Sequence, residues 1–231
     1  MIKMHNIQML ILRELLFSPN SKFTQLNIQG LTSDHFSYHI NALIKDGYVK
    51  KTSLKYSLTS KGKEFANRMD TEEVSIEKQP KVAVMVVATK IENGKKYLLV
   101  QERTKEPYFG YSGFITGKIR FGEKVVEAAK RELKEESGLS CKNIHLKRLV
   151  RDYVVLNNTG ELVEDKMFFV IHAANPKGDL VNTKNGNNKW LTEDEFKHLK
   201  KKYYNEDNIY EISQSRGNQT IIEGTYLVNE F

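Results

Sequence analysis

Three glutamates in one stretch of the chain could together hold a metal ion. Glu132, Glu135 and Glu136 occupy positions i, i+3 and i+4 within residues 117–139, which read GKIRFGEKVVEAAKRELKEESGL. On an α-helix this spacing puts the three carboxylates on one strip about one turn long. Such close like charges repel, and a hard divalent cation, commonly Mg2+ where phosphates supply other ligands, would turn that repulsion into a binding site. For the glutamates alone, an ordinary solvated helix is the alternative interpretation.

The residues around the glutamates predict the helix that must position them. Val125, Val126, Ala129 and Leu133 recur at helical spacing and predict one apolar face. Gly138 is placed to end this helix in a left-handed conformation. The carboxylate strip then lies roughly 100° around the helix from the apolar one.

Arg131 and two glycines complete the local pattern. Arg131 has Glu127 four residues before it and Glu135 four residues after it, so it can hold or orient a carboxylate. Gly117 and Gly122 bracket a loop that we expect to turn tightly before the helix.

Residues 117–139 as a whole resemble the signature of the Nudix hydrolases. The segment matches that signature at every defining position, which are Gly117, Glu123, Arg131-Glu132-Leu133, Glu135-Glu136 and Gly138-Leu139. A looser resemblance runs from about Lys81 to Lys202. It implies a hydrolase of a nucleoside diphosphate linked to another group, with Mg2+ or Mn2+ held by this Nudix box.

The resemblance also implies roles for individual residues. The implied metal ligands are Gly117, through its backbone carbonyl, Glu123, Glu132, Glu135 and Glu136. The implied catalytic residues are Glu132, Arg131 and Glu135, with the arginine orienting a carboxylate. Some family members take a further catalytic base from a loop after the box. The candidates for that base here are Glu161, Glu164, Asp165 and Asp179.

The composition limits the class of protein. A chain of 231 residues with 39% hydrophobic residues can form one large or two small packed domains. A net charge of +7 favours an acidic partner, either nucleic acid or a phosphorylated substrate. Cys141 is the single cysteine, which excludes an intramolecular disulfide and indicates a reducing compartment. No apolar run approaches the roughly 20 residues of a membrane span, so we expect a cytoplasmic protein with no membrane partner.

Residues 1–69 predict three helices, the second of them from about Thr24 to Ile28, followed by a two-stranded hairpin and a final helix. The third helix begins at Ser33 as its N-cap and ends at Asp46-Gly47, and Ser60 caps the last helix. This order, with the words YHINALIKDGYV and YSLTSKGKEF, resembles the winged helix-turn-helix domains of transcription regulators. In such domains the third helix enters the major groove of double-stranded DNA and the hairpin contacts its backbone. The implied DNA-binding residues are Ser33, His35, Ser37, Tyr38 and Asn41 on the helix and Lys50, Lys51 and Lys55 near phosphates.

The charge of this first segment leaves its role open. Residues 1–75 contain ten Lys/Arg and seven Asp/Glu, and so hold only about three of the seven excess positive charges. Phosphate contacts dominate affinity for DNA, which makes this a modest charge for a DNA reader. A winged helix used for dimerisation or domain docking is the alternative, because a fold alone does not fix a function.

The polar segment 70–80, which ends at Pro80, predicts a linker to a second domain over residues 81–231. Strands are predicted at 82–87, 144–155 and 167–173, with a hairpin turn at Asn93-Gly94 and a capping box over 192–195. The predicted fold class is therefore α+β, with a winged helix domain followed by a Nudix α/β/α sandwich that contains a mixed sheet.

The substrate-binding candidates lie ahead of the box. Phe109, Tyr111 and Phe114 alternate with glycines and could line a base-binding slot by stacking, or could pack beneath the loop. Arg103, at the end of a predicted strand, is the fourth candidate. The commoner family pattern has a proline and two glycines where this chain has Ile115-Thr116-Gly117, so the resemblance leaves the substrate preference open.

Two functions follow from these patterns. The first is cleavage of a nucleoside diphosphate derivative of the ADP-ribose or nucleotide-sugar type. The alternative is a transcription regulator whose Nudix domain senses a nucleotide or phosphorylated sugar and whose winged helix binds DNA as a homodimer. Intact carboxylates favour catalysis, and the removal of oxidised nucleoside triphosphates is a lesser third possibility.

Overall fold

A computed structural model describes residues 4–27, 30–215 and 221–229 of the chain. The chain divides into two compact units, Met1–Lys78 and Gln79–Phe231. Each unit has its own hydrophobic core. Within the described residues, no helix combines the length and the hydropathy needed to cross a membrane.

The first unit combines short helices with a small sheet. Its elements are α1 (Asn6–Phe17), β1 (Ser21–Lys22), α2 (Phe23–Leu26), α3 (Ser33–Lys45), β2 (Val49–Thr52), β3 (Lys55–Leu58), α4 (Ser60–Ala66), β4 (Met69–Asp70) and β5 (Ser75–Ile76). The order of the helices and of the β2–β3 hairpin is the predicted one. Strand β1 was not predicted, and it pairs with β3 to give a three-stranded sheet in the order β1-β3-β2.

The N-cap residues of α3 and α4 each lie one residue before the position that the sequence predicted. Thr32 caps α3 by accepting the His35 amide, and Thr59 caps α4 by accepting the Gly62 amide. Ser33 and Ser60 are instead the first helical residues, because the hydroxyl that reaches back to the free amides belongs to the extended residue before each helix. The predicted second helix ran to Ile28, which lies outside the described residues.

The segment predicted as a linker is partly ordered. Met69–Asp70 pairs with Ser75–Ile76 in an antiparallel ladder, and the Asp70 carboxylate accepts the amides of Glu72 and Glu73 in the turn between them. Residues up to Lys78 belong to the first unit. The polar composition that predicted a linker reflects a turn closed by Asp70.

The second unit is built on one large sheet. Its strands are β6 (Lys81–Glu92), β7 (Lys95–Arg103), β8 (Ser112–Gly113), β9 (Ile115–Lys118), β10 (Ile144–Leu156), β11 (Leu162–Ala174), β12 (Gly186–Thr192) and β13 (Ile221–Val228). Its helices are α5 (Val125–Ser137), α6 (Glu193–Lys197) and α7 (Glu206–Gln214). The main path of the sheet is β12-β7-β6-β11-β10-β13, with β8 beside β7 and β9 beside β6. The pairs β6–β11 and β10–β13 are parallel and the others antiparallel, so the sheet is mixed as predicted.

Apolar residues on both faces of the sheet explain its position in the middle of the unit. Alternate residues of β6 enter two different cores: Met85 packs with Phe196 of α6 and Ile209 of α7, whereas Val84 packs with Leu133 of α5. A strand buried on both faces reads as a continuous apolar run, which is why residues 82–87 were recognisable as a strand. The result is the predicted three-layer arrangement of helix, sheet and helix.

Candidate active site

Helix α5 holds the box glutamates against the sheet. Ala129 and Leu133 are fully buried, whereas Val126, predicted on the same apolar face, is 37% exposed. Gly138 ends the helix with φ 77°, as predicted. Glu132 lies four and three residues after the buried Ala128 and Ala129, so it shares their side of the helix, and the residue is buried with its carboxylate against Gly117 of β9.

Gly117 serves the site by leaving space, and not by turning the chain. It lies in strand β9, and a Cβ atom added there would stand 1.7 Å from the carboxylate carbon of Glu132. Any larger residue at position 117 would therefore displace this carboxylate. The tight turn predicted between the two glycines depends on Gly122, whose φ is 79°.

Arg131 gathers three carboxylates. Its guanidinium donates to Glu123 from Nε at 2.7 Å and from Nη2 at 2.8 Å, and its Nη1 lies 2.6 Å from Glu132 and 3.1 Å from Glu135. The predicted contact with Glu127 is wrong, because Glu127 pairs with Lys130 at 2.8 Å. Arg131 therefore orients the carboxylates of Glu132 and Glu135, the two glutamates that the resemblance assigned to catalysis.

The electrostatic effects within this group differ in sign. Hydrogen bonds from Arg131 lower the pKa of Glu123 to about 2. Burial raises the pKa of Glu132, and its contact with Arg131 opposes that rise. The pKa of Arg131 is itself raised, chiefly by the hydrogen bond to Glu123, so the guanidinium stays charged.

Within the described residues, every hydrogen-bond donor to the Glu136 carboxylate is a neutral side chain. Its carboxylate accepts from the Asn185 amide at 2.6 Å, the Thr183 hydroxyl at 3.1 Å and the Gln101 amide at 3.3 Å. The Asn188 amide donates to the backbone carbonyl of Glu136 at 2.5 Å. None of these donors carries a charge, so they fix the direction of the carboxylate without neutralising it.

A cavity of about 630 Å3 brings some of the predicted residues together. Gly117, Glu132, Glu136 and Arg103 lie on its wall. We refer to Gly117, Glu132 and Glu136 as the box wall. The volume is within the range of pockets that hold a nucleotide-sized ligand.

Two predicted metal ligands lie off this wall. Glu123 is bound to Arg131, and Glu135 is shared between Arg131 and Arg120, which is 3.2 Å away. The side chain of Glu135 is 48% exposed. The helical spacing placed Glu135 on the correct strip, but ion pairs with two arginines turn its carboxylate along the surface.

The aromatic prediction is largely corrected. Phe114 is buried in the core with its ring centroid 5.3 Å from that of Phe196, and Phe109 is 61% exposed. Tyr111 packs against the rings of Tyr108 and Tyr203 behind the wall. The aromatic residues on the cavity wall are Tyr108, Phe168, Tyr203 and Tyr204. Tyr203 and Tyr204 precede α7, which the sequence pattern did not reveal.

Cationic side chains supply a second part of the wall. They are Lys81, Arg103, Lys105, Lys118 and Lys166. The Arg103 guanidinium is braced by the carbonyl oxygens of Lys105 at 2.9 Å and Glu106 at 3.3 Å. These contacts orient the guanidinium without neutralising it, which suits a phosphate ligand.

Glu164 is the candidate base that reaches the cavity. Of the four acidic residues proposed from sequence, it alone is among the residues that line this cavity. It is buried, and it accepts from Lys81 at 3.3 Å, from Lys166 at close range and from the Tyr108 hydroxyl at 3.5 Å. Burial lowers the pKa of Lys166. Asp165 instead pairs with Arg151 at 2.9 Å.

The sequence did not predict an acidic part of the same cavity, formed by Asp152 and Glu206 with Asn205. We refer to these three residues as the acid wall. Asp152 comes from β10, whereas Asn205 and Glu206 form the start of α7. The apolar spacing of Ile209 and Ile212 is a signal that could have found α7.

The donor chemistry of the box wall fits a divalent metal ion. Within the described residues, no three carboxylate, imidazole or thiolate groups are already gathered as metal ligands, since Arg131 draws Glu123, Glu132 and Glu135 onto itself. The carboxylates of Glu132 and Glu136 nevertheless share one cavity wall, and Gly117 leaves room for the first of them. Carboxylate and carbonyl oxygens are the ligands that Mg2+ and Mn2+ prefer.

The predicted DNA-binding residues lie on the surface of the first unit. All of them are exposed except Ser37, which is partly exposed. The residues are Ser33, His35, Ser37, Tyr38 and Asn41 on α3 and Lys50, Lys51 and Lys55 on the β2–β3 hairpin. Tyr38 is 70% exposed. His39, in contrast, is buried beside His35, with 3.2 Å between the two Nε2 atoms. One helix face and one hairpin thus present polar and basic side chains to solvent.

Comparisons with known proteins agree with this architecture. The family model described as the NUDIX domain matches residues 79–211. The crystal structure of a mutator MutT protein from Bacillus halodurans is 22% identical, has a TM-score of 0.51, and covers 64% of this chain and 89% of its own. The NUDIX domain of Shewanella oneidensis NrtR, solved with ADP ribose, is 15% identical, has a TM-score of 0.54, and covers 69% of this chain and 99% of its own. No curated protein matches the sequence.

Proposed function

Since the chain belongs to the Nudix family, we propose that it is a metal-dependent hydrolase of nucleoside diphosphate derivatives. The bond cleaved is the pyrophosphate bond, and the substrates are of the ADP-ribose or nucleotide-sugar type. The observation that carries this proposal is the shared cavity, on which Glu132 and Glu136 face the same space as Arg103, Lys118 and three further cations. Carboxylates for a metal and cations for phosphates are the two requirements of pyrophosphate cleavage.

Each part of the box has a role in this proposal. Glu132, Glu136 and the Gly117 carbonyl would hold Mg2+ or Mn2+, with Glu123 and Glu135 as further ligands. The ion supplies charge neutralisation of the diphosphate and an activated water. Arg131 orients Glu132 and Glu135, and Glu135 or Glu164 accepts the proton of the attacking water. Arg103 and Lys118 hold the phosphates.

The choice of compounds to test follows from the fold. The NrtR domain that shares this fold was solved with ADP ribose. A cavity of about 630 Å3 can accept a ligand of that size. ADP-ribose and nucleotide sugars are therefore the first candidates.

Turnover of these compounds tests the proposal directly. The full chain is incubated with Mg2+ and a panel of ADP-ribose, nucleotide sugars and nucleoside triphosphates, and the products are separated by chromatography. We expect at least one diphosphate to be cleaved, with a loss of at least about 100-fold in kcat for Glu135→Gln. Glu127→Gln is the matched control, since Glu127 lies on the same helix and contacts only Lys130 in the described structure. Equal turnover by wild type and Glu135→Gln, or no turnover of any compound, would contradict the proposal.

A second function is favoured by the surface of the first unit. We propose that this unit is a winged helix that binds double-stranded DNA as a homodimer, through α3 and the β2–β3 hairpin. The exposed Lys50, Lys51 and Lys55 support this proposal because lysines on a hairpin can contact phosphates. DNA binding and hydrolysis could coexist in one chain, because the residues concerned belong to different units.

Salt-dependent DNA binding distinguishes this role from domain docking. Fluorescence anisotropy with the upstream DNA of the coding sequence is measured at several salt concentrations. Replacing Lys50, Lys51 and Lys55 with glutamine should weaken binding and reduce the salt slope by roughly three. Lys45→Gln on the end of α3 is a control for charge alone. Binding without any sequence preference would favour docking, and chromatography that finds only monomer would exclude the homodimer.

A further inference from the structure

The acid wall contains two carboxyl groups that are buried without an ion pair. Asp152 is 2% exposed and Glu206 is 4% exposed, yet both line the cavity. Within the described residues, the hydrogen-bond donors to them are the Asn205 amide, 3.4 Å from Asp152, and the Phe114 backbone N–H, 3.3 Å from Glu206. Both distances are long for N–H···O hydrogen bonds. Buried polar groups are ordinarily satisfied, so each carboxyl retains capacity for a ligand.

The two carboxyls differ in protonation at neutral pH. Burial raises the pKa of Asp152 to about 6 and that of Glu206 to about 8. The proximity of Asp152 adds to the rise for Glu206. At pH 7 the wall therefore offers one carboxylate, which accepts hydrogen bonds, and one carboxylic acid, which can also donate.

Charge decides which part of a substrate can approach this wall. A phosphate brought beside Asp152 would face a like charge in a buried site, where screening is weak. Phosphates are attracted instead to Arg103, Lys105 and Lys118 on the same cavity, because Lys166, the cation whose charge acts on Asp152, is paired with Glu164. The acid wall is thus left for an uncharged part of the substrate.

Aromatic rings beside the acid wall favour a flat group over a sugar. Phe168, Tyr203 and Tyr204 line the same cavity, and the ring of Tyr204 is held by stacking on Tyr226 at a centroid distance of 4.2 Å. Flat π systems stack on such rings, whereas a sugar ring has no π face. A nucleobase also carries N–H donors and acceptors along one edge, which a carboxylate and a carboxylic acid can both engage.

We propose that the acid wall is the nucleobase subsite of this enzyme, with Asp152 and Glu206 as the residues that bind the polar edge of the base. This proposal rests on the hydrolase function above, because it assigns the orientation of the substrate in the same cavity. The base lies against the acid wall, the diphosphate lies against the cations, and the scissile bond lies at the box wall. A base edge that offers a hydrogen-bond donor next to an acceptor can engage both carboxyls, whereas a substrate without a base cannot.

Equilibrium binding tests this assignment without any turnover. The probes are AMP, GMP, CMP, UMP and ribose 5-phosphate, titrated into the full chain by calorimetry at pH 7 without divalent metal. At least one nucleotide should bind about 10-fold or more tightly than ribose 5-phosphate, because ribose 5-phosphate lacks a base. Glu206→Leu should weaken the preferred nucleotide by about 10- to 100-fold and leave ribose 5-phosphate unchanged.

Two further variants separate recognition from folding. Glu206→Gln replaces the carboxylic acid with a neutral group that also donates and accepts, so it should bind the nucleotide within a few-fold of wild type. Glu211→Leu, an exposed position on the same helix, should behave as wild type. Thermal melting establishes whether each variant is folded. Asp152→Asn removes the other carboxyl group of the acid wall and is measured in the same way.

The outcomes are distinct from those of the hydrolase test. Equal affinity for ribose 5-phosphate and every nucleotide, no measurable nucleotide binding, or unchanged binding by folded Glu206→Leu would each overturn the subsite. Base-selective binding that depends on Glu206, together with no hydrolysis of any compound, would contradict only the proposed function.

Discussion

The carboxylates of the Nudix box and the carboxyls of the acid wall lie in different surroundings, although burial raises the pKa of Glu132 as it raises that of Glu206. On α5 and the loop before it, Glu123, Glu132 and Glu135 all contact Arg131, and the pKa of Glu123 falls to about 2. On the acid wall, no ion pair from a described residue reaches Glu206, and burial raises its pKa to about 8. Carboxylates held by a cation remain anionic and suit metal chemistry, whereas a buried neutral acid suits recognition by hydrogen bonds. Environment, and not residue type, distinguishes the two groups of carboxyls, and in our proposals the first group serves a reacting end of the cavity and the second a selecting end.

Substituting one of two glycines should disturb one wall at a time, and these substitutions should have the largest effects that we expect. A Cβ at Gly117 would lie 1.7 Å from the Glu132 carboxylate carbon, and a Cβ at Gly113 would lie 2.3 Å from the Glu206 Oε1. Gly117→Ala should lower kcat by about 100-fold or more, because misplacing a reacting group by about 1 Å costs that much. Gly113→Ala should instead weaken nucleotide binding with a smaller effect on kcat.

Steady-state kinetics and calorimetry on both glycine variants check this expectation. Melting curves show whether each variant remains folded. If Gly117→Ala and Gly113→Ala affect the same constant to the same degree, the division of the cavity into two walls is wrong.

The difference between the walls also explains what the sequence could predict. The box is local, since helical spacing alone puts Glu132, Glu135 and Glu136 on one strip of α5, and the apolar face of the segment predicted that helix. The acid wall is assembled by tertiary structure, with Asp152 and Asn205 53 positions apart along the chain. No local period connects them, and Glu206 alone resembles any acidic residue in the first turn of a helix.

Side-chain direction limited the prediction even within the box. Spacing placed Glu135 on the correct strip but could not show that Arg120 and Arg131 both pair with it. Likewise, Phe114 matched an aromatic slot in sequence, yet it lies between β8 and β9 and packs in the core with Phe196. Competing contacts, and not backbone structure, decided these positions.

Substitution of Arg131 tests the difference between the two walls by changing only the box carboxylates, and we expect an intermediate effect on kcat. Lysine keeps the charge but cannot make the two parallel hydrogen bonds to Glu123 or reach three carboxylates at once. Arg131→Lys should lower kcat by about 10-fold, with nucleotide affinity at the acid wall unchanged. Kinetics with Mg2+ measure the first quantity and calorimetry the second. A variant with the wild-type kcat would show that Arg131 is not needed to orient the carboxylates.

The pH dependence of stability should have opposite signs for Glu206 of the acid wall and for Glu123, which contacts Arg131 beside the box wall, and this is the smallest effect we expect. The pKa of Glu206 rises from 4.5 to about 8 on folding, so its contribution is fully present below 4.5 and is lost as the pH rises through 8. The change is at most about 1.4 kcal/mol per pH unit between these values. The pKa of Glu123 falls from 4.5 to about 2, so its contribution is present above 4.5 and is lost as the pH falls through 2.

Denaturant unfolding between pH 4 and pH 9 checks the Glu206 part of this expectation. Glu206→Gln should become more stable relative to wild type as the pH rises, because glutamine has no proton to lose. Parallel curves for wild type and Glu206→Gln would show that Glu206 ionises at its ordinary pKa.

The most direct test of the account compares kcat and KM for Glu136→Gln and Glu206→Leu on one diphosphate substrate with Mg2+. We expect Glu136→Gln to lower kcat by about 100-fold or more with KM changed only a few-fold, because it removes a carboxylate from the reacting end. Glu206→Leu should raise KM by about 10-fold or more with kcat changed only a few-fold, because it removes a contact to the base. Wild-type turnover by Glu136→Gln, or a change in the same constant for both variants, would contradict the account.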